Sequence, residues 1–209
     1  MKKAIGRTLS LMAVACVMDT GAAWAEDISE ADPAVVEKVI AATWTKVKEG
    51  WEDRIKQDET QAACSKYRNV PPADVANAIL EREKATLVFP ADGNFIGDWK
   101  EGEKIAQSGF GGRWNDKPET VNGGNCYACH QMRADELSYG TLGPSLLGYG
   151  KDRNFDPAEV KVAYAKIYNA QAALPCSQMP RFGYHKFLSE QQIKDVVALL
   201  FAKDSPVNK

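Results

Sequence analysis

Cys126, Cys129 and His130 are the residues of this chain best placed to do chemistry, because they form one uninterrupted string, Cys126-Tyr127-Ala128-Cys129-His130. On a helical turn, two thiols spaced C-x-x-C lie on the same side and can add to the two vinyl groups of a single haem. A histidine directly after them then faces the iron as an axial ligand. Zinc knuckles and dithiol redox sites also contain C-x-x-C. Zinc wants a second ligand pair at similar spacing, and Cys64 and Cys176 each stand alone. A dithiol site does not require the adjoining histidine, and no strand-helix context surrounds this one. The string occurs once, so one covalently bound haem c is expected.

The run Gly140-Thr141-Leu142-Gly143-Pro144-Ser145-Leu146 follows after a short interval. A rigid turn there would present the Pro144 carbonyl to the free ring nitrogen of His130, fixing its tautomer and making it a better donor to iron. An ordinary turn is the other reading. For the opposite face of the haem the downstream candidates are Met179 and His185. Met179 sits in Cys176-Ser177-Gln178-Met179-Pro180-Arg181-Phe182-Gly183, an irregular loop between two expected helices, with Pro180 fixing the backbone after it. A methionine in such a loop is commonly core filler. The open iron face favours Met179 as the second axial ligand, with His185 a polar surface residue. Met132 is too near His130 in sequence to reach round a porphyrin. Arg181 is the first candidate to pair with a haem propionate, ahead of Arg133 and Lys186.

Cys64 and Cys176 remain. In an oxidising compartment an even remainder points to a disulfide, which would staple the N-terminal part of the chain to the loop bearing Met179. Two free buried thiols are the alternative.

The elements that must position these groups read as helices. Asp32 can cap and Pro33 sits at a first helical position, followed by Val36, Ile40, Trp44, Val47, Trp51 and Ile55 at three- and four-residue intervals. That stripe is expected to be packing surface. A break at Asn69 to Pro72 precedes a second helical pattern through Val75, Ala78, Ile79 and Arg82. Trp99 to Gln107 keeps helical periodicity within a Gly-rich stretch. Asp156-Pro157-Ala158-Glu159 opens a helix through Val160, Ala163, Tyr164 and Ile167, and Ser189 with Gln192 caps one carrying Ile193, Val196, Val197, Leu200 and Phe201. No stretch alternates strongly enough to require a sheet. The fold class expected is all-α.

The 209 residues carry 26 basic and 28 acidic side chains and are 44% hydrophobic, a globular composition that excludes a collagen, a disordered tail and a basic nucleic-acid binder. Lys2, Lys3 and Arg7 precede an apolar run from Leu9 to Met18, and Ala23-Trp24-Ala25 has the form of an A-x-A cleavage site. Residues 1–25 therefore read as an export signal cut before Glu26, giving a periplasmic product. A lipoprotein signal with Cys16 acylated is the rival reading. No other apolar stretch approaches the roughly 20 residues a membrane helix needs, so no membrane span is expected. Residues 26–91 read as an N-terminal helical extension and 92–209 as the haem domain.

Taken together, the C-x-x-C-H string, the Gly-Pro-Ser-Leu-Leu turn, the Met-Pro loop and the Ser189 to Phe201 helix resemble class I c-type cytochromes. In that family N- and C-terminal helices cross near the haem, here Trp99 to Gln107 and Ser189 to Phe201. Gly97-Asp98-Trp99, Gly140 to Arg153, Lys166-Ile167-Tyr168-Asn169, Cys176 to Gly183 and Asp195 to Asn208 resemble more closely the SoxX subunits of the SoxAX cytochromes of bacterial thiosulfate oxidation. The likeness is firmest from Asp92 onward, with Cys64-Ser65 and Asn69-Val70-Pro71-Pro72 echoing longer members.

This resemblance implies a heterodimer with a SoxA-like cytochrome that joins thiosulfate oxidatively to a cysteine of a SoxYZ-like carrier. The complex would be an L-cysteine S-thiosulfotransferase. The SoxX-like chain would accept the released electrons and pass them to a soluble acceptor cytochrome, with Cys126 and Cys129 holding the haem, His130 and Met179 ligating iron, and no catalytic residue of its own. A freestanding electron shuttle, and a haem enzyme acting on peroxide or a small gas, are the competing classes. The second would need Met179 to be displaceable.

Overall fold

A computed structural model of the chain describes residues 32–47, 49 and 51–209. The export signal over 1–25, Cys16 and the start of the extension lie outside the described residues. Those described form seven α-helices joined by turns and short 3₁₀ segments, with no strand among them, and the all-α expectation holds. The helices are α1 (Pro33–Thr43), α2 (Glu59–Lys66), α3 (Ala73–Lys84), α4 (Trp99–Gln107), α5 (Tyr149–Asp152), α6 (Pro157–Tyr168) and α7 (Glu190–Phe201). None is long and apolar enough to cross a membrane.

The core is organised by the crossing of α4 and α7. Gly102 lies at the contact: a Cβ there would sit 2.0 Å from the Asp195 carbonyl oxygen, so only glycine lets the two backbones approach. Two further bonds lock the crossing, Gly97 N–H to Lys194 O at 3.1 Å and Asp98 N–H to Asp195 Oδ1 at 2.9 Å. Ser189 caps α7 by accepting the Gln192 N–H while the Gln192 side chain accepts the Ser189 N–H. The expected one-sided stripe of α7 is an underestimate, since every residue from Ile193 to Phe201 is buried. Neighbours enclose the helix on all sides, and its polar members are paired: Lys194 with Asp92 and Glu190, Asp195 with Gln191 and the Asp98 N–H. Asp156 caps α6, which adds Ala163, Tyr164 and Ile167 to the same cluster.

The N-terminal extension differs from its sequence reading. α1 forms where expected, capped by Asp32 through the Ala34 N–H with Pro33 in its first turn, but ends at Thr43 instead of running on towards Ile55. It buries none of its residues, and Val35, Val36, Val39 and Trp44 are exposed. The α1 part of the expected packing surface is therefore largely open to solvent. Without tertiary packing, the β-branched Thr43, Thr45 and Val47 cannot prolong the helix. Trp51 instead meets Trp114 edge-on at 6.1 Å, and Arg54 lies over the Trp51 ring at 4.1 Å. Helix α2 was not foreseen. It starts on a capping box at Asp58 and Gln61 and carries Cys64.

Candidate haem site

The C-x-x-C-H string forms a 3₁₀ turn, Cys126–Ala128, entered through a left-handed Asn125 at φ 47°. Its approach is anchored to the end of α4 by Gly124 N–H to Ile105 O at 2.8 Å and Asn125 N–H to Ser108 O at 3.0 Å. Inside the turn both Cys129 and His130 donate their N–H to the Cys126 carbonyl, at 3.1 and 2.9 Å. These bonds place the two thiols and the imidazole on consecutive positions of one tight coil. Both thiols are free and half-buried, and burial pushes the Cys126 thiol up to about 12. Burial disfavours the thiolate form of Cys126. Among the described residues no cluster of His, Cys, Asp and Glu could hold a metal ion.

The turn over residues 140–146 straddles this coil. Gly140 donates to Tyr127 O at 2.9 Å, Gly143 to Cys129 O at 2.8 Å and Leu146 to Gln131 O at 2.8 Å. Gly143 packs against the imidazole so closely that a Cβ would stand 2.2 Å from His130 Cε1. Next to it the Pro144 carbonyl lies 2.7 Å from His130 Nδ1. A carbonyl can only accept, so Nδ1 carries the proton and Nε2 keeps its lone pair for a metal. The Pro144 contact is thus present as drawn from the sequence. The contribution of Gly143 was missed, because a glycine in a turn gives no local sign of the ring packed against it.

Met179 is half-buried and packs against the main apolar cluster, as does Cys126. Its N–H is accepted by Ser177 Oγ at 3.2 Å. Met132 is fully buried in that cluster, and His185 lies on the surface with its ring edge-on to Tyr184 at 4.9 Å. Cys64 and Cys176 form a disulfide that joins α2 to the Met179 loop.

Arg181, the expected propionate partner, is engaged within the protein. Only 4% exposed, it donates through Nη1 to Glu83 Oε2 at 3.2 Å and pairs through Nη2 with Asp58 Oδ2. Glu83 is itself 3% exposed, accepting from Thr60 Oγ1 at one oxygen and from Asn169 Nδ2 at 2.7 Å at the other. Burial works against charge on Asp58, but the Gln61 N–H and the Arg181 guanidinium outweigh it and hold the carboxyl below its usual range. A guanidinium buried this deeply goes to the carboxylates that bury with it. Asp58 and Glu83 went unnoticed because partners 123 and 98 residues away leave no local pattern. The Asp58 to Gln61 capping box was the one available sign of α2.

The cytochrome c family model matches residues 99–201, the stretch from α4 to the end of α7. A protein of Aquifex aeolicus (strain VF5) described as an uncharacterized lipoprotein is 41% identical over 182 residues, covering 81% of this chain and 84% of its own. This chain belongs to the cytochrome c family. A cytochrome c carries a covalently bound haem, and the donor set fits one: two unpaired thiols on one turn, an imidazole with its distal nitrogen free, and a glycine where any side chain would strike that ring. The haem supplies a one-electron couple, and electron transfer is the chemistry of this cytochrome. Cys126 and Cys129 would hold the group and His130 would ligate its iron, while the Pro144 carbonyl orients the ring and raises its basicity.

Proposed function

We propose that this cytochrome is the SoxX-like subunit of a SoxAX-type complex in thiosulfate oxidation, with Met179 as the second axial ligand. The segment Cys176 to Gly183 carries the reading, since it resembles SoxX closely and holds Met179, half-buried, against the same apolar cluster on which Cys126 packs. With His130 and Met179 both on iron, no coordination position is left for a substrate, and the subunit's work is outer-sphere transfer. A thioether opposite an imidazole raises the reduction potential, which suits an acceptor. Bond-making between thiosulfate and a carrier-protein cysteine then belongs to a SoxA-like partner, and a soluble cytochrome takes the electrons onward. Native mass spectrometry of the complex isolated from thiosulfate-grown cells tests this. A one-haem chain bound to a second cytochrome supports the subunit reading, and a one-haem monomer makes a freestanding electron shuttle the better account.

The chain is exported in this reading, since haem is attached outside the cytoplasm and residues 1–25 have the form of a signal. The Aquifex relative, described as a lipoprotein, favours a second version in which Ala13-Val14-Ala15-Cys16 is the processing site and Cys16 is acylated. The mass of the mature N-terminus separates the two: a chain starting at Glu26 is a free periplasmic protein, whereas one starting at a lipid-modified Cys16 is membrane-anchored.

A further inference from the structure

Met179 is bracketed by two attachments to the same small part of the extension. Three residues before it, Cys176 is bonded through its sulfur to Cys64, in the second half of α2. Two residues after it, the Arg181 guanidinium reaches Asp58, the residue that caps the start of α2, and Glu83 in α3. Between these attachments the loop is held by Ser177 N–H to Leu174 O at 3.2 Å, by Gln178 Nε2 to Cys176 O at 3.4 Å and by the packing of Met179 on the apolar cluster, contacts that leave its approach to the extension to the two attachments. The Met179 N–H is accepted by the Ser177 hydroxyl, and Pro180 offers no N–H. Cys176 sits at φ 58°, in the left-handed region unfavourable to a residue with a Cβ, and its N–H is tied to Gln171 Oε1 at 3.3 Å.

The ion pair is built for position. Every polar group around it is engaged: Glu83 meets Thr60, Asn169 and Arg181; Asn169 also reaches Thr86 Oγ1 at 2.9 Å; and Arg181 lies 4.6 Å over the Tyr184 ring. A planar guanidinium gripped by two carboxylates on different segments has its direction fixed as well as its place, which a point charge would not achieve. Such a buried pair adds little net stability over an apolar filling, and its attested use is to specify one arrangement.

We propose that α2 and α3 act as a clamp on the sixth-ligand loop, with Asp58, Glu83 and Arg181 as positioning residues that hold the Met179 thioether on the haem iron. This rests on Met179 being the ligand. A thioether is a weak ligand that leaves iron readily unless its loop is held in the bound geometry, and removing the groups that orient a metal ligand weakens it about tenfold to a hundredfold. The clamp makes the extension part of the redox site, although none of its residues would touch the haem.

The test uses the full-length haem-loaded protein and three readouts: the weak red charge-transfer band of ferric iron bound by methionine sulfur, the rate at which carbon monoxide binds the reduced form, and the reduction potential. Asp58→Asn keeps a good helix cap while removing the charge beside Arg181, and Arg181→Lys keeps the charge while removing the fork. Met179→Ala is the reference for complete loss of the ligand. The expected result is that both clamp variants retain haem and helix content, bind carbon monoxide about tenfold faster than the wild type, and show a lower potential, while Met179→Ala binds faster still. Wild-type values in Asp58→Asn and Arg181→Lys, beside a large change in Met179→Ala, overturn the clamp and leave the ligand assignment standing. An unchanged band and carbon monoxide rate in Met179→Ala overturn the ligand assignment itself, and the clamp with it. If Arg181→Lys fails to fold, Asp58→Asn, at a partly exposed position, decides alone.

Discussion

The haem domain and the α2–α3 strap are built from different forces. Around α4, α6 and α7 the interior is a large apolar cluster in which Ile193, Val197 and Leu199 are wholly inaccessible. The buried apolar cluster of the strap is small, Cys64, Ile79 and Cys176 with Ala63 and Val75 packed against it, and the charged and polar groups Thr60, Glu83, Asn169, Gln171 and Arg181 are buried beside it. Apolar burial is strong but has no direction, so it serves where the whole scaffold must stay folded. Charge-assisted bonds and a disulfide are directional, so they serve where one loop must be held in one place. With the proposed clamp, staying folded and aiming a side chain fall to separate regions of the molecule.

That contrast can be broken first at the disulfide. Replacing both Cys64 and Cys176 by Ser releases a link spanning 112 residues, for which the chain-entropy model gives a loss of up to about 4.7 kcal/mol. Denaturant unfolding of the haem-loaded protein should show it, with native helix content unchanged by circular dichroism. Leu199→Ala attacks the other region by opening a cavity in a site with no accessible surface, and should cost about 2–5 kcal/mol by the same measurement. If Met179 is the ligand as proposed, it should leave the red charge-transfer band in place, since the proposed clamp is untouched.

A smaller effect sharpens the account of the crossing helix. Ser189→Ala removes the cap of α7 and should cost about 1 kcal/mol, with the potential unaltered. The smallest is a pH effect at the strap. The Asp58 carboxyl titrates below its usual range in the folded protein, so its contribution to stability is fully present above the unfolded carboxylate value, about 3.9, and is lost as pH falls towards the folded one. Unfolding free energy measured between about pH 5 and pH 3 should fall less steeply in Asp58→Asn than in the wild type.

Much of the haem domain was legible because its signals are local. The string ending at His130 states its chemistry in five residues, and α4, α6 and α7 follow from caps and apolar spacing within single turns. The extension was legible only in part. Periodicity from Val36 to Ile55 satisfied a helix template, yet the helix stops at Thr43 with Val35, Val39 and Trp44 in solvent, since amphipathicity stabilises a helix only when something covers its apolar face. Arg181 stands out in the sequence only as a candidate propionate partner, while the structure shows it held by Asp58 and Glu83. A positive charge two residues from Met179 suggests a propionate, and nothing near it in sequence points to Asp58 or Glu83.

The sequence by itself determined what the site can do: two thiols and an imidazole at fixed spacing dictate covalent haem, and the capped helices dictate an α-helical domain around it, because bonding geometry and helix propensity act over a few residues. Tertiary structure alone decided which distant segments meet. Gly143 against the His130 ring, Gly102 against Asp195 and the Arg181 guanidinium between Asp58 and Glu83 all join segments far apart in the chain. Which buried charge meets which carboxylate depends on how the helices pack, and that is settled only when the whole chain has folded.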